Sequence, residues 1–318
     1  SYRIALIPGD GTGPEVVDEA VKALKAAGER ENIQFEMTPY DLGGDRYLKT
    51  GEILPDGIVD ELQEFDSILL GAIGLPDVRF PDGTEISPHL RMRSEFGLYA
   101  GVRPVKAYPN VPLPLGDPRA PEIDLVVLRE STEGLFAERE SGRVIEDREA
   151  RDALVITRET SERLFDFAFA LARKRKERGG KGRVTCVDKA NVLRSMAFFR
   201  KIFDERAARF PDIVAAHSYV DAMALELVRR PWDHDVLVME NMFADILSDL
   251  GGGLVGGMGM APCGEIGEAH ALFQPAHGSA PDIAGTDFAN PTAMILSAAM
   301  MLDWLGERAD VGPCGDAA

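Results

Sequence analysis

The sequence predicts an α/β fold built on a parallel sheet and divided into two domains. Three observations carry that expectation. An apolar strand-like run, a glycine loop and an amphipathic helix follow one another in "RIALIPGDGTGPEVVDEAVKALKAAGE". Similar alternation of strand-like and helix-like segments recurs along the chain, the pattern of strands joined by crossover helices. The length of 318 residues, 45% of them hydrophobic, exceeds what one ordinary core encloses.

Taken in order, Ile4, Leu6 and Ile7 make the first strand; Pro14 suits a helix start, and Val16, Val17, Ala20 and Leu24 carry helical spacing. "IQFEMTPYDL" is a second strand, and "ILPDGIVDELQEFDSILLGAIG" repeats helix then strand. "LYAGVRPVKAY" and "IDLVVLRE" are further strands. Residues 150–175 read as one long helix with Leu164, Phe167, Ala168 and Leu171 on its core face. "GRVTCVDKAN" and "HDVLVMEN" are strands ending in charged residues, residues 251–264 a glycine-rich loop, and "NPTAMILSAAMMLDWLG" an apolar helix. Composition alone draws no domain boundary.

The net charge of −18 excludes a basic nucleic-acid-binding face and accords with a bound cation. Cys186, Cys263 and Cys314 lie far apart with no CxxC pair, which speaks against a zinc site or a disulfide framework and for a reducing cytoplasm. No signal peptide is expected at the N-terminus, and no run of 18 apolar residues implies a membrane span.

In open α/β sheets, ligands gather beyond the carboxyl ends of strands. Arg103, Arg129 with Glu130, Asp188 with Lys189, and Glu240 with Asn241 follow strands in this way, and Arg93 lies one element upstream. Singly each arginine reads as a surface salt bridge; as a set they make a site for a small polyanion and a metal, since a guanidinium forks onto a carboxylate. "ENMFADILSDL" stacks Asp245 and Asp249 on one helical face, where two carboxylates repel. Either that face is solvated, or a hard cation such as Mg²⁺ or Mn²⁺ sits there, with Asp221 of "SYVDAMALELV" a third oxygen ligand. "GDGTG" departs from the GxGxxG fingerprint. "HGSAPDIAG" is either an ordinary turn or a ribose site in which Asp282 accepts hydroxyl hydrogens and repels a 2′-phosphate.

Eight stretches between residue 4 and about residue 305 now stand in one order: "IPGDGTGPEV", "MRSEFGLYAGVRPV", "LRESTEG", "DKANVL", "YVDAMALELV", "ENMFADILSDL", "GMGMAP" and "HGSAPDIAGTDFANP". Through them the chain resembles the β-decarboxylating dehydrogenases of isocitrate and 3-isopropylmalate, including the tartrate/D-malate branch. "GAIGLPD" and "AMMLDWLG" look most like the tartrate/malate branch, "DKANVL" more like isopropylmalate dehydrogenase. The resemblance implies an isopropylmalate dehydrogenase-like two-domain α/β fold, a large mixed sheet flanked by helices and not the Rossmann topology. Its discontinuous cofactor domain would span 1–98 and 252–318, and the substrate, metal and dimerisation domain 99–251.

The implied reaction is oxidation of a malate-type 2-hydroxy acid, with hydride passing to NAD and CO₂ then leaving. By analogy Arg93, Arg103 and Arg129 clamp the carboxylates; Asp245 and Asp249, with Asp221 from a second subunit of a homodimer, hold Mg²⁺ or Mn²⁺; Lys189, also from that subunit, takes the hydroxyl proton, its ammonium form disfavoured by the cations around it. His277, Gly278, Ser279, Ala280, Asp282, Ile283 and Asn290 hold the cofactor. Asp282 and Ile283 stand where NADP-dependent relatives carry a basic residue, which points to NAD.

Three departures stand out. The family's tyrosine after "RExTxG" is Phe136, so turnover is slowed or another group supplies the proton; the glutamate before "PxHGS" is Gln274; and relatives continue past residue 318. In "GTEISPHLRMR", Ser87 and His89 stand where isopropylmalate enzymes present an apolar surface, so a tartrate- or D-malate-like substrate is favoured. The alternatives are 3-isopropylmalate dehydrogenase itself, or a non-catalytic ligand-binding homologue.

Overall fold

A computed structural model of the chain describes residues 1–309; Cys314 lies outside them. Two compact units divide it, Ser1–Leu98 with the segment from Met258, and Tyr99–Gly257.

The first unit runs through β1 (Tyr2–Gly9), α1 (Gly13–Glu31), β2 (Phe35–Pro39), α2 (Gly44–Thr50), α3 (Asp56–Gln63), β3 (Ser67–Ala72) and α4 (Pro88–Glu95). The second holds β4 (Ala100–Lys106), β5 (Asp124–Glu130), β6 (Arg143–Ile145), β7 (Glu149–Arg151), α5 (Arg158–Glu177), β8 (Arg183–Asp188), α6 (Arg194–Ala207), β9 (Val214–Tyr219), α7 (Val220–Arg229), β10 (Val236–Met239) and α8 (Asn241–Leu254). The chain then completes the first unit with β11 (Pro262–Ile266), β12 (Ala271–Pro275) and α9 (Thr292–Arg308). Return to that unit falls at Met258, not at 252, because α8 runs unbroken past residue 252.

In the first unit the strands lie in the order β2-β1-β3-β12-β11, all parallel except the β11–β12 pair. In the second the order is β4-β5-β10-β8-β9, with only β4–β5 antiparallel. The arrangement is therefore mixed α/β, flanked by helices, where strand–helix alternation alone predicted a parallel sheet. β3 and β10 are buried along their whole length, which is why they read as continuous apolar runs. Separate cores form in the two units, one around Ile7, Leu62 and Leu70, the other around Leu125, Leu237 and Leu247.

α1 buries Val16, Val17, Ala20 and Leu24 as its spacing predicts. α5 differs from expectation. It starts at Arg158, where the Thr157 hydroxyl accepts from Thr160 N, and its buried stripe is Leu164, Phe165, Ala168, Phe169 and Ala172; Phe167 and Leu171 are only half-buried. Residues before it form the exposed β6–β7 hairpin, turned by Glu146 and Asp147 at positive φ. The expected glycine loop at 251–264 is instead the end of α8, a short 3₁₀ turn and β11. Residue 251 lies within α8 and is glycine because the helix packs so close to β4 that a Cβ there would stand 2.6 Å from Val105 Cγ2.

Candidate active site

In the second unit, β4, β5 and α8 place two buried arginines against two aspartates. Arg103 and Arg129 are 7% and 3% exposed, Asp245 and Asp249 45% and 59%, so the guanidiniums point inward and the carboxylates face solvent. Arg129 donates through Nε to Asn241 Oδ1 at 2.8 Å and through Nη1 to Asp245. Arg103 Nη1 donates to Ser248 Oγ at 2.6 Å and lies 3.4 Å from Asp245 Oδ1 and 3.7 Å from Asp249 Oδ1. Repulsion between Asp245 and Asp249 is thus offset by two cations the sequence places far away. Burial pushes the Asp249 carboxyl up, with Arg103 opposing and Asp245 adding to the rise. Glu240 caps α8 through Met242 N and Phe243 N, which fixes the helix that carries both aspartates. Phe136 packs its ring 5.4 Å from the Arg129 guanidinium carbon.

Lys189 and Asp221 form a second cluster in the same unit. The Lys189 ammonium donates to Asp221, and that contact holds the Asp221 carboxyl below its usual range. Lys189 follows β8 and is set by its neighbour. Asp188, fully buried, accepts two bonds from Arg200 at 2.7 and 2.8 Å and one from Ala190 N at 2.8 Å. Among the described residues of one chain, no three acidic, histidine or cysteine side chains converge as a metal site. Asp245 and Asp249 nevertheless suit a hard divalent cation, being adjacent oxygen donors on one helical face with open carboxylates.

In the first unit, α4 carries Ser87 at its N-cap and His89 and Arg93 within it. Arg93 is 4% exposed and its Nη2 lies 2.8 Å from Glu265 Oε1, a residue of β11 that is fully buried. The Ser87 hydroxyl donates to Glu85 O at 3.3 Å, His89 also has a partner within the structure, and Leu90 beside them is half-buried.

The same unit builds a cavity of about 360 Å³ lined by His277, Gly278, Ala280, Ile283 and Asn290. Ser279 is buried beneath it, its hydroxyl donating to Gly74 O, while Asp282 is exposed. "GDGTG" is the support of this cavity. Thr12 donates to Ser279 O through N at 2.8 Å and through Oγ1 at 3.1 Å, and the Asp10 carboxylate accepts from Gly44 N, Asp45 N and Gly74 N. Asn290 Oδ1 accepts from Thr292 N and Oγ1, which ties the cavity to the start of α9.

Sequence reasoning missed Thr12, Phe288, Ser248 and Glu265. Phe288 had a signal, its place inside the quoted stretch "HGSAPDIAGTDFANP"; the structure finds it 79% exposed and lining the cavity. Ser248 had one too, since it lies three residues after Asp245 on the same helical face.

Residues 3–311 match the model of the family described as isocitrate/isopropylmalate dehydrogenase. The 3-isopropylmalate/3-methylmalate dehydrogenase of Methanocaldococcus jannaschii is 43% identical over 311 residues, covering 96% of this chain and 86% of that one. The 3-isopropylmalate dehydrogenase of Aquifex aeolicus is 41% identical over 309 residues, covering 95% and 84%. The crystal structure of isocitrate dehydrogenase from Methylococcus capsulatus superposes with a TM-score of 0.87 at 38% identity, covering 100% of this chain and 87% of that one.

Proposed function

We propose that this chain, which belongs to the isocitrate/isopropylmalate dehydrogenase family and is therefore an NAD- and divalent-metal-dependent decarboxylating dehydrogenase acting on CH–OH, takes a malate with an apolar 3-substituent such as 3-isopropylmalate. The observation that carries this choice is the state of the α4 side chains. A polar 3-substituent was expected because Ser87 and His89 would otherwise be buried without partners. Both have partners inside the chain, and Leu90, one helical turn before Arg93, offers an apolar surface. Relatives named 3-isopropylmalate dehydrogenase at 41–43% identity support the same reading over a tartrate or D-malate preference.

In this reading Arg93, Arg103 and Arg129 orient the substrate carboxylates, each guanidinium held in advance by a partner that also fixes its direction. Asp245 and Asp249 would hold the divalent cation, which would supply Lewis-acid polarisation at the 2-oxygen, and the 277–290 segment would hold NAD, the hydride acceptor. Lys189, once its ammonium has released a proton, accepts the hydroxyl proton through the neutral Nζ, and Asp221 keeps that nitrogen in place. Phe136 stands beside Arg129 and has no proton to give, so the enol carbon takes its proton from solvent or another donor.

We read the second unit as the dimerisation surface. Leu225 and Val228 on α7 and Ile246 on α8 are 54%, 48% and 62% exposed, apolar area that a second copy would cover. Lys189 and Asp221 would then serve the partner's Asp245 and Asp249. No helix among the described residues is long and apolar enough to cross a membrane, and the buried Cys186 thiol accords with the reducing cytoplasm we assign.

The test is NADH formation with Mn²⁺ from 3-isopropylmalate, D-malate, tartrate and isocitrate, with NADP⁺ as control. Highest kcat/KM for 3-isopropylmalate with NAD⁺ is expected. Preference for tartrate or D-malate would overturn the substrate reading, and metal-dependent binding without turnover of any acid would establish the non-catalytic alternative.

A further inference from the structure

We propose that Glu265 is the positioning residue for Arg93, setting the guanidinium that meets the substrate. This inference rests on the reading of Arg93 as a substrate ligand.

Local sequence explains how the pair forms. The stretch "CGEIG" puts Glu265 in β11 between two glycines. Gly264 lies under the Phe273 ring, where a Cβ would come within 2.9 Å of Cε1. Gly267 ends the strand against the loop after α4, and a Cβ there would stand 2.7 Å from Gly97 O and 3.0 Å from Phe96 O. The Phe96 ring then packs 5.5 Å from His270, in the turn between β11 and β12. Only small residues allow this approach, and it brings the end of α4 onto the hairpin with Arg93 opposite Glu265.

The pair is buried on both sides, at 4% and 0% exposure, and among the described residues Arg93 Nε is buried with no hydrogen-bond partner. A buried guanidinium so poorly supplied with acceptors depends on the Glu265 carboxylate that it meets. Glu265 therefore fixes both the direction and the depth of Arg93, and through it the end of α4, the helix whose first turn carries His89 and Leu90 after the Ser87 N-cap.

Register adds a second observation. β11 pairs antiparallel with β12 so that Cys263 faces Gln274 and Glu265 faces Leu272. Residues 263, 265, 272 and 274 thus share one face of the ladder, with Cys263 Sγ 3.6 Å from Glu265 Oε1. Where the resemblance expects a carboxylate at position 274, the chain has the amide of Gln274; a carboxylate stands on the same face at position 265 and turns to Arg93.

The experiment measures KM for 3-isopropylmalate and for NAD⁺ and, independently of turnover, the Kd for 3-isopropylmalate with Mn²⁺. It uses the full chain as wild type, Glu265→Gln, Glu265→Asp and Arg93→Lys. Glu265→Gln is expected to raise KM and Kd for the acid at least tenfold and Glu265→Asp at least threefold, with KM for NAD⁺ within twofold. Acid KM and Kd within twofold of wild type in the Glu265 variants, while Arg93→Lys raises them, would overturn the proposal alone. An equal rise in KM for NAD⁺ would mark a merely structural role and also overturn it. An Arg93→Lys variant that binds the acid as well as wild type would remove Arg93 from the site and the proposal with it. Should Glu265→Gln fail to fold, Glu265→Asp decides by the same thresholds.

Discussion

Replacing Gly11 with alanine tests whether the 277–290 segment holds the cofactor. Gly11 has φ +56°, and a Cβ placed there would stand 2.2 Å from Ser279 O and 2.9 Å from Ser279 C. Ordinary contact begins near 3.4 Å, so the two backbones must part by about 1 Å, and neither is the flexible end of a side chain. The left-handed conformation adds roughly 1–2 kcal/mol for an L side chain. Both Thr12 bonds to Ser279 O are strained, at about 0.5–1.5 kcal/mol each. Loss of about 2–5 kcal/mol follows, which lowers Tm by roughly 3–8 °C in a chain of this size. The displaced residues are those lining the cavity, His277, Gly278 and Ala280. Misplacing a binding element by about 1 Å weakens its action on the order of 10–100-fold. Steady-state kinetics of Gly11→Ala should therefore show KM for NAD⁺ raised at least tenfold, with KM for the hydroxy acid changed less than threefold. A lowered Tm with KM for NAD⁺ within twofold of wild type would refute the assignment, because the segment would have moved without consequence for the cofactor.

Phe136→Tyr restores a phenol beside Arg129 and is expected to raise kcat at least threefold with KM for the acid within twofold; an unchanged kcat would show that the enol proton arrives by another route. Asp249→Asn should weaken Mn²⁺ binding tenfold or more by calorimetry, and unaltered affinity would remove Asp249 from the metal site. Leu225→Glu combined with Val228→Glu should leave a folded monomer by light scattering without activity; a monomer as active as wild type would show that Lys189 and Asp221 act within their own chain. Burial raises Glu130 from 4.5 to about 7, against bonds from Thr132 and Glu133 N. The folded state then holds the proton more tightly, so this contribution is complete below pH 4.5 and is lost as pH rises to about 7, roughly 3 kcal/mol in all. Thermal melts of Glu130→Gln from pH 5 to 8 should fall less steeply than those of wild type, and parallel curves would refute the shift.

What was legible in the sequence depended on how far apart the interacting residues lie. Periodicity found the strands and α1 because their partners repeat every two or every three to four residues. It misassigned the α5 stripe because Phe165 and Phe169 lie one position from Leu164 and Ala168, and either pair satisfies the same spacing. Glycines at 251–253 looked like a loop because the reason for Gly251, the nearness of Val105, comes from a strand about 150 residues earlier. The strand-end rule pointed to Arg129 and Lys189, at the ends of β5 and β8, but Arg103 proves to sit in the middle of β4; helical spacing singled out Asp245 and Asp249. Neither could show that these form two clusters, arginines with Asp245 and Asp249 in one and Lys189 with Asp221 in the other.

That division bears on the two aspartates of "ENMFADILSDL". Arg103 and Arg129 already offset their repulsion, so the pair could be taken as a finished ion network requiring no metal. Exposure argues otherwise. A network serving stability alone would gain from enclosing both partners or from leaving both in water, since a half-buried arrangement meets desolvation cost on one side and screening on the other. Here the guanidiniums are sealed in and the carboxylates left open, with Asp249 already raised by partial burial and by its neighbour. Open oxygens held at fixed spacing by buried cations are disposed to receive a ligand from outside the chain. Lys189 and Asp221 carry the complementary groups on their own exposed surface, beside apolar residues that a second copy would cover. In the proposed dimer, the repulsion at 245 and 249 would be kept because assembly, rather than folding, would complete the site.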